Sequence, residues 1–152
     1  MPPLSRGAAS RAAGKRFEKK VATFLGTLGF LVETAKPKLC HIGPGRVISI
    51  SHDFYGVIDH IAIHPRMAQT LLIQSTLAAN QVVEKMRAID AVPFFGPAHD
   101  LQVWTRDSST RNRFVVWRRQ AMLGVWNELT FRMEPGQWPS HVLGAPPRQP
   151  AL

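Results

Sequence analysis

Apolar residues recur at three- and four-residue steps from Gly14 to Leu28, through Phe17, Val21, Phe24, Leu25 and Leu28, which predicts an amphipathic helix stopped by Gly29. Residues 1–13, rich in Pro, Ser, Gly and Ala, have no such period, and residues 135–152 hold five prolines, so both ends read as tails around a domain at 14–134. Phe30 to Thr34 reads as a strand, and Lys36 to Arg46, with two prolines and two glycines, as a loop. Alternation at Val47 to His52, an apolar run from Gly56 to His64 that stops at Pro65, and Thr70 to Thr76 predict three more strands. Helical spacing returns from Asn80 to Ile89, starting near Leu77, and Ala91 to Asp100 is a loop. Leu101 to Thr105, Arg113 to Arg118 and Glu128 to Arg132 follow as strands. The order is α-β-β-β-α-β with a short β extension, an α/β domain with a mixed central sheet flanked by helices.

Charge adds a partner class to this outline. The chain has 152 residues, enough for one core, and a formal charge of +9, which concentrates polyanions around it. The imbalance is uneven: residues 1–38 carry eight Lys and Arg against two acids, Glu18 and Glu33. Arg11, Lys15, Arg16, Lys19, Lys36 and Lys38 in that segment, with Arg87 further on, are the candidate phosphate contacts, and residues 1–13 form a basic arm. The single cysteine excludes an intramolecular disulfide, and six scattered His give no zinc-ligand spacing, in keeping with a reducing, cytoplasmic setting. An acid-free opening from Met1 to Phe17 also suits an organelle import segment. No apolar run approaches the roughly 20 residues that span a bilayer.

One polar group interrupts an otherwise apolar row. In a strand over Gly56 to His64, Val57, Asp59, Ile61 and Ile63 share a face, and in the next strand Leu72, Gln74 and Thr76 do. A hairpin between the two brings Asp59, Gln74 and Thr76 together at one end of the sheet. A buried carboxylate needs a cation or hydrogen bonds, and a hard divalent ion with oxygen ligands is one answer; capping by backbone amides is the other. Glu18 falls at the edge of the first helix's apolar arc, flanked by Lys15 and Lys19, so a helix laid across the sheet carries a carboxylate and two cations towards Asp59. Asp53 lies six residues before Asp59, where it either joins the site or opens a turn with Phe54, Tyr55 and Gly56. His60 and His64 lie on the face opposite Asp59, and the four Trp are either packing residues or base-stacking ones.

These residues resemble a known family. Glu18 in a helix ending Leu28-Gly29-Phe30, then Asp53-Phe-Tyr-Gly-Val-Ile-Asp59, then Leu72-Ile-Gln74-Ser-Thr76, is similar to the PD-(D/E)XK nuclease superfamily, nearest in size and order to archaeal-type and phage Holliday junction resolvase-like endonucleases, over about residues 14–90. The resemblance implies a restriction-endonuclease-like core and an Mg²⁺-dependent endonuclease, with Mn²⁺ able to substitute, acting on DNA, branched or single-stranded forms included, as a homodimer in a bacterial, archaeal or phage-infected cell. It implies Asp59 as the metal-binding Asp, Gln74 in place of the second acid, Thr76 in place of the lysine, Glu18 as the first-helix Glu, Ser75 as donor of a backbone carbonyl, and Asp53 beside them. Gln74 is neutral and Thr76 carries no ammonium, so the cation is sought on the next helix, at Lys85 first and Arg87 second. If no cation reaches the site, the alternative is a catalytically inactive module of the same fold that binds nucleic acid.

Overall fold

The computed structural model describes residues 6–50, 53–110 and 112–148, except for the side chains of Lys38, Ser49 and Ile50. Helix α1 (Arg6–Thr27) leads into β1 (Leu31–Thr34), and β2 (Lys38–Gly43) and β3 (Arg46–Ile50) form a hairpin. Strands β4 (His60–Ile63) and β5 (Thr70–Thr76), helix α2 (Val82–Asp90), strands β6 (His99–Arg106), β7 (Arg113–Arg119) and β8 (Trp126–Arg132) and a single turn, α3 (Ser140–Leu143), complete the order. Six strands make one mixed sheet in the order β1-β4-β5-β6-β7-β8, and β2-β3 stand as a separate two-stranded sheet. Every pairing in the large sheet is antiparallel except β5 with β6, which run parallel because α2 crosses between them.

The sheet buries both faces. On one side Phe17, Val21, Phe24 and Leu25 of α1 pack on Ala62, Leu71, Ile73, Trp104, Val116 and Phe131. On the other, Val82 and Ile89 of α2 cover Ile58, Leu72, Leu101 and Val103. Cover on both faces leaves β5 and β6 buried along almost their whole length, polar residues included. Gly29 ends α1 at φ 91°, and a Cβ there would stand 3.1 Å from the His64 ring, so both conformation and space favour glycine.

Four expectations are corrected. The arm predicted at 1–13 is helical from Arg6 onwards; Ala8, Ala9, Ala12 and Ala13 carry high helix propensity without a large apolar side chain to mark a period. The loop predicted at 36–46 contains β2, whose Pro44-Gly45 turn, with Gly45 at φ 68°, closes the hairpin. The predicted strand from Gly56 begins only at His60, because residues 53–58 are spent on a turn in which Tyr55 and Gly56 both have positive φ. Of the predicted strand at 47–52, Ser51 and His52 lie outside the described residues.

The last correction concerns the Pro-rich tail. Between 135 and 148 the chain packs on the domain: Val142 and Leu143 are fully buried, the Trp138 ring stacks on Phe30 at 5.6 Å, and the Val142 carbonyl accepts a bond from the buried Gln102 amide at 3.0 Å. Leu143→Ala should therefore cost about 2–5 kcal/mol, the range for a buried leucine. A denaturant melt giving less than about 0.5 kcal/mol, as for an exposed position, would restore the tail reading.

Candidate functional site

Residues 60 and 73 stand opposite each other in the β4–β5 ladder, and the Asp59 amide adds a bond to the Ile73 carbonyl at 2.9 Å. One step further the ladder stops and the Asp59 carboxylate takes its place. Oδ2 accepts three bonds, from the Ser75 amide at 2.8 Å, the Ser75 hydroxyl at 2.8 Å and Gln74 Nε2 at 3.0 Å. Oδ1 accepts none among the described residues. The capping of Asp59 thus engages one carboxylate oxygen and leaves the other without a hydrogen bond among the described residues.

Asp59 belongs to the row that faces α2, whereas Glu18 comes from α1 on the opposite face. They still share a cleft of about 320 Å³, because it opens at the end of the sheet where β5 stops. Helix α1 contributes Ser10, Gly14 and Glu18, spaced four apart on one helix face; Asp53, Asp59, Gln74, Ser75 and Thr76 form the floor; Gln81 and Lys85 close the side next to α2. Starting the helix reading at Gly14 concealed Ser10, although the four-residue step back from Glu18 points to it. The Gly14 position is open, since a Cβ there would meet nothing within 4 Å.

Electrostatics and unmet bonds both mark the cleft as short of positive charge. Burial, then the charges of Asp59 and Asp53, raise the Glu18 pKa above the usual carboxylate value, against the pull of Lys15. Burial also raises that of Asp59, with Asp53 adding to it, while the Ser75 bonds and Lys85 oppose the rise. Gln74 Oε1 is buried and has no hydrogen-bond partner among the described residues. The amide cannot be reversed to satisfy it, because that would set an oxygen 3.0 Å from the Asp59 carboxylate. Among the described residues no three His, Cys, Asp or Glu side chains are gathered closely enough to hold a metal ion by themselves, so neutral oxygens such as Gln74 Oε1 are needed to complete a cation site.

No protein-family model, curated protein or solved structure matches the chain.

The other predicted residues divide. Lys85 lines the cleft, but Arg87 is exposed in the last turn of α2 and does not. Thr76 lines it while its hydroxyl donates to Gln81 and accepts from the Ala78 amide, both at 3.3 Å, which holds the turn leading to α2. The Ser75 carbonyl already accepts Gln74 Nε2 at 3.3 Å, so its main service is through amide and hydroxyl to Asp59. Asp53 lines the cleft, and its carbonyl accepts the Gly56 amide at 3.0 Å, which makes the turn.

Lys15 acts electrostatically on Glu18, but Lys19 turns away, with Arg16, to a groove beside Met133 and Pro135. Arg11 and Lys36 are exposed and line none of these grooves, and the Lys38 side chain lies outside the described residues. His60 and His64 pack inside. His60 bonds Thr34 at 3.0 Å, and burial lowers its pKa to about 4, while His64 lies against Phe30 and Trp138. A larger groove of about 500 Å³ opens at His99, Asp100 and Arg118, but Asp100 there is neutralised by two 3.0 Å bonds from Arg118.

The raised carboxylates have a pH consequence. Because folding favours their protonated forms, Glu18 and Asp59 should add stability as pH falls from neutral through the raised values, levelling off below the ordinary ones, against a loss from His60, whose depressed pKa makes its protonation oppose folding as pH falls towards about 4. A bound divalent cation requires the charged forms, so Mg²⁺ should raise Tm most at neutral pH and progressively less under acid conditions. Thermal melts across pH with and without Mg²⁺ check this; a Tm indifferent to Mg²⁺ at every pH would count against a cation in the cleft.

Proposed function

We propose that the protein is a metal-dependent endonuclease of the PD-(D/E)XK kind, with a restriction-endonuclease-like core, that hydrolyses phosphodiester bonds in DNA, including branched forms such as Holliday junctions. The observation that carries this reading is the pairing of Asp59, half anchored and half open, with an orphaned Gln74 Oε1 in a cleft shared with Glu18. This donor set fits a hard cation, which prefers carboxylate and amide oxygens and, for Mg²⁺, keeps several of its own waters. Asp59 Oδ1, Gln74 Oε1 and Glu18 would hold it, and Asp53 would add negative charge. When bound, Mg²⁺ lowers the pKa of water and offsets charge on the phosphate oxygens.

The chain's own groups do the rest. Ser75 fixes the carboxylate through two bonds, so that its free oxygen is aimed without loss of side-chain entropy. Gln74 Nε2 neutralises part of the charge on Oδ2 that a second acid would have repelled. Lys85 is the cation on the side next to α2 and takes the place that Thr76 leaves without charge, close enough to oppose the rise of the Asp59 pKa. Placed there, it would stabilise developing negative charge on the transferring phosphoryl group.

A second reading has a specific basis. Gln74 in an acid's place and Thr76 in a lysine's favour a nuclease-like fold that binds nucleic acid without cutting it. Incubation of purified protein with linear, single-stranded and four-way DNA separates the two. Cleavage with Mg²⁺ or Mn²⁺ that stops with EDTA is expected; retention of every DNA form with no product at any metal concentration would establish the binding module.

A further inference from the structure

Next to the acidic cleft lies a groove of opposite character. Arg16 and Lys20 of α1 and Arg106, the last residue of β6, converge on it over a floor of Phe17 and Phe114, and no acid lines it. Leu77 is shared between groove and cleft, so it forms the wall between them. Their adjacency follows from topology. Strands β5 and β6 are parallel, with Thr76 opposite Thr105, so the chain leaving β5 forms the acidic cleft and Arg106 leaves β6 beside it, about 4.8 Å away in the sheet.

Three cations converging without an acid repel one another. The side chains of Arg16 and Arg106 make no hydrogen bond or ion pair among the described residues, and the Lys20 ammonium has the neutral Asn112 amide oxygen at 3.0 Å and the Phe114 ring at 5.2 Å. Arg16 and Lys20 also line the adjoining groove with Lys19, so a cationic track extends from the wall of the cleft across α1. Such a track lacks a polyanion. We infer that Arg16, Lys20 and Arg106 bind the sugar–phosphate backbone adjacent to the phosphodiester in the cleft, so that the strand crosses the sheet end over Leu77. This rests on the reading of the cleft as a phosphodiester site; the track fixes the direction in which the strand enters it. Lys20 is one of the eight basic residues of 1–38 but, like Arg106, was not among the candidate phosphate contacts, because its sequence neighbours do not distinguish it from a solvated charge.

The test measures binding apart from cutting. Anisotropy of a labelled duplex in EDTA, across a salt series, should give log–log slopes that become shallower by about 1 for each of Arg16→Ala and Arg106→Ala, since each phosphate contact releases a counterion. Arg66→Ala, at the opposite end of β5, should leave the slope unchanged. Arg106→Lys should recover most of the binding, and circular dichroism identifies any variant that fails to fold, in which case Arg106→Gln replaces it. Unchanged slopes for Arg16 and Arg106, or losses equal to that of Arg66→Ala, overturn the track. If the slopes change but no variant or wild-type protein cuts DNA, the track stands and the nuclease reading falls; cutting with unchanged slopes reverses that outcome.

Discussion

Asp59→Asn is expected to abolish cleavage while leaving DNA affinity within about twofold. The substitution keeps the shape and one acceptor for the Ser75 bonds, and removes the negative charge of Asp59 from the cleft. Loss of a main metal ligand removes both the activated water and the neutralised phosphate, a barrier increase that corresponds to at least about 10³-fold in rate. Because burial already disfavours the charged form of Asp59, the variant should melt no lower than wild type, and this separates a chemical defect from a folding one. The readouts are single-turnover cleavage in Mg²⁺, anisotropy in EDTA and a thermal melt. Residual cutting above about a tenth of wild type would place the essential ligand elsewhere.

Lys85→Ala should lower turnover by about 10²- to 10³-fold, the usual effect of losing one preorganised electrostatic group, with little change in affinity. Arg87→Ala is its internal control, because the same helix carries Arg87 away from the cleft. A single-turnover comparison at saturating DNA decides between them. If Lys85→Ala cuts normally, Lys85 does not act in the chemical step, and if Arg87→Ala is the slower of the two, α2 presents a different face to the substrate. Lys85→Arg retains charge with different reach, so partial recovery is expected if position as well as sign matters.

The parts of this design legible in sequence are those that a regular period enforces. The α1 stripe, β5, β6 and β7 were readable to within one or two residues, because a core face must repeat at the pitch of its element. The convergence of Asp59 and Gln74 followed from alternation and antiparallel pairing, and Glu18 from its place at the edge of an apolar arc. Alanines carried the first two turns of α1 with no apolar period, β2 was concealed by prolines and glycines, and α3 by its short length. The cations were least legible. Lys85 lines the cleft and Lys15 acts on Glu18 only through its charge, while Lys19 lines another groove and Arg87 does not line the cleft, and on an exposed helix surface only the docked orientation separates them.

The Ser75 amide, bonded at 2.8 Å to a side chain where the strand ladder would have continued, gives the protein a resident spectroscopic probe. Its proton chemical shift depends on the electron density of the Asp59 carboxylate, so protonation or occupancy at the free oxygen should move one backbone NMR resonance near the centre of the cleft. Hydrogen exchange at the same amide reports how often the carboxylate lets go. A titration followed at that resonance in isotope-labelled protein would read the ionisation of Asp59 without substrate.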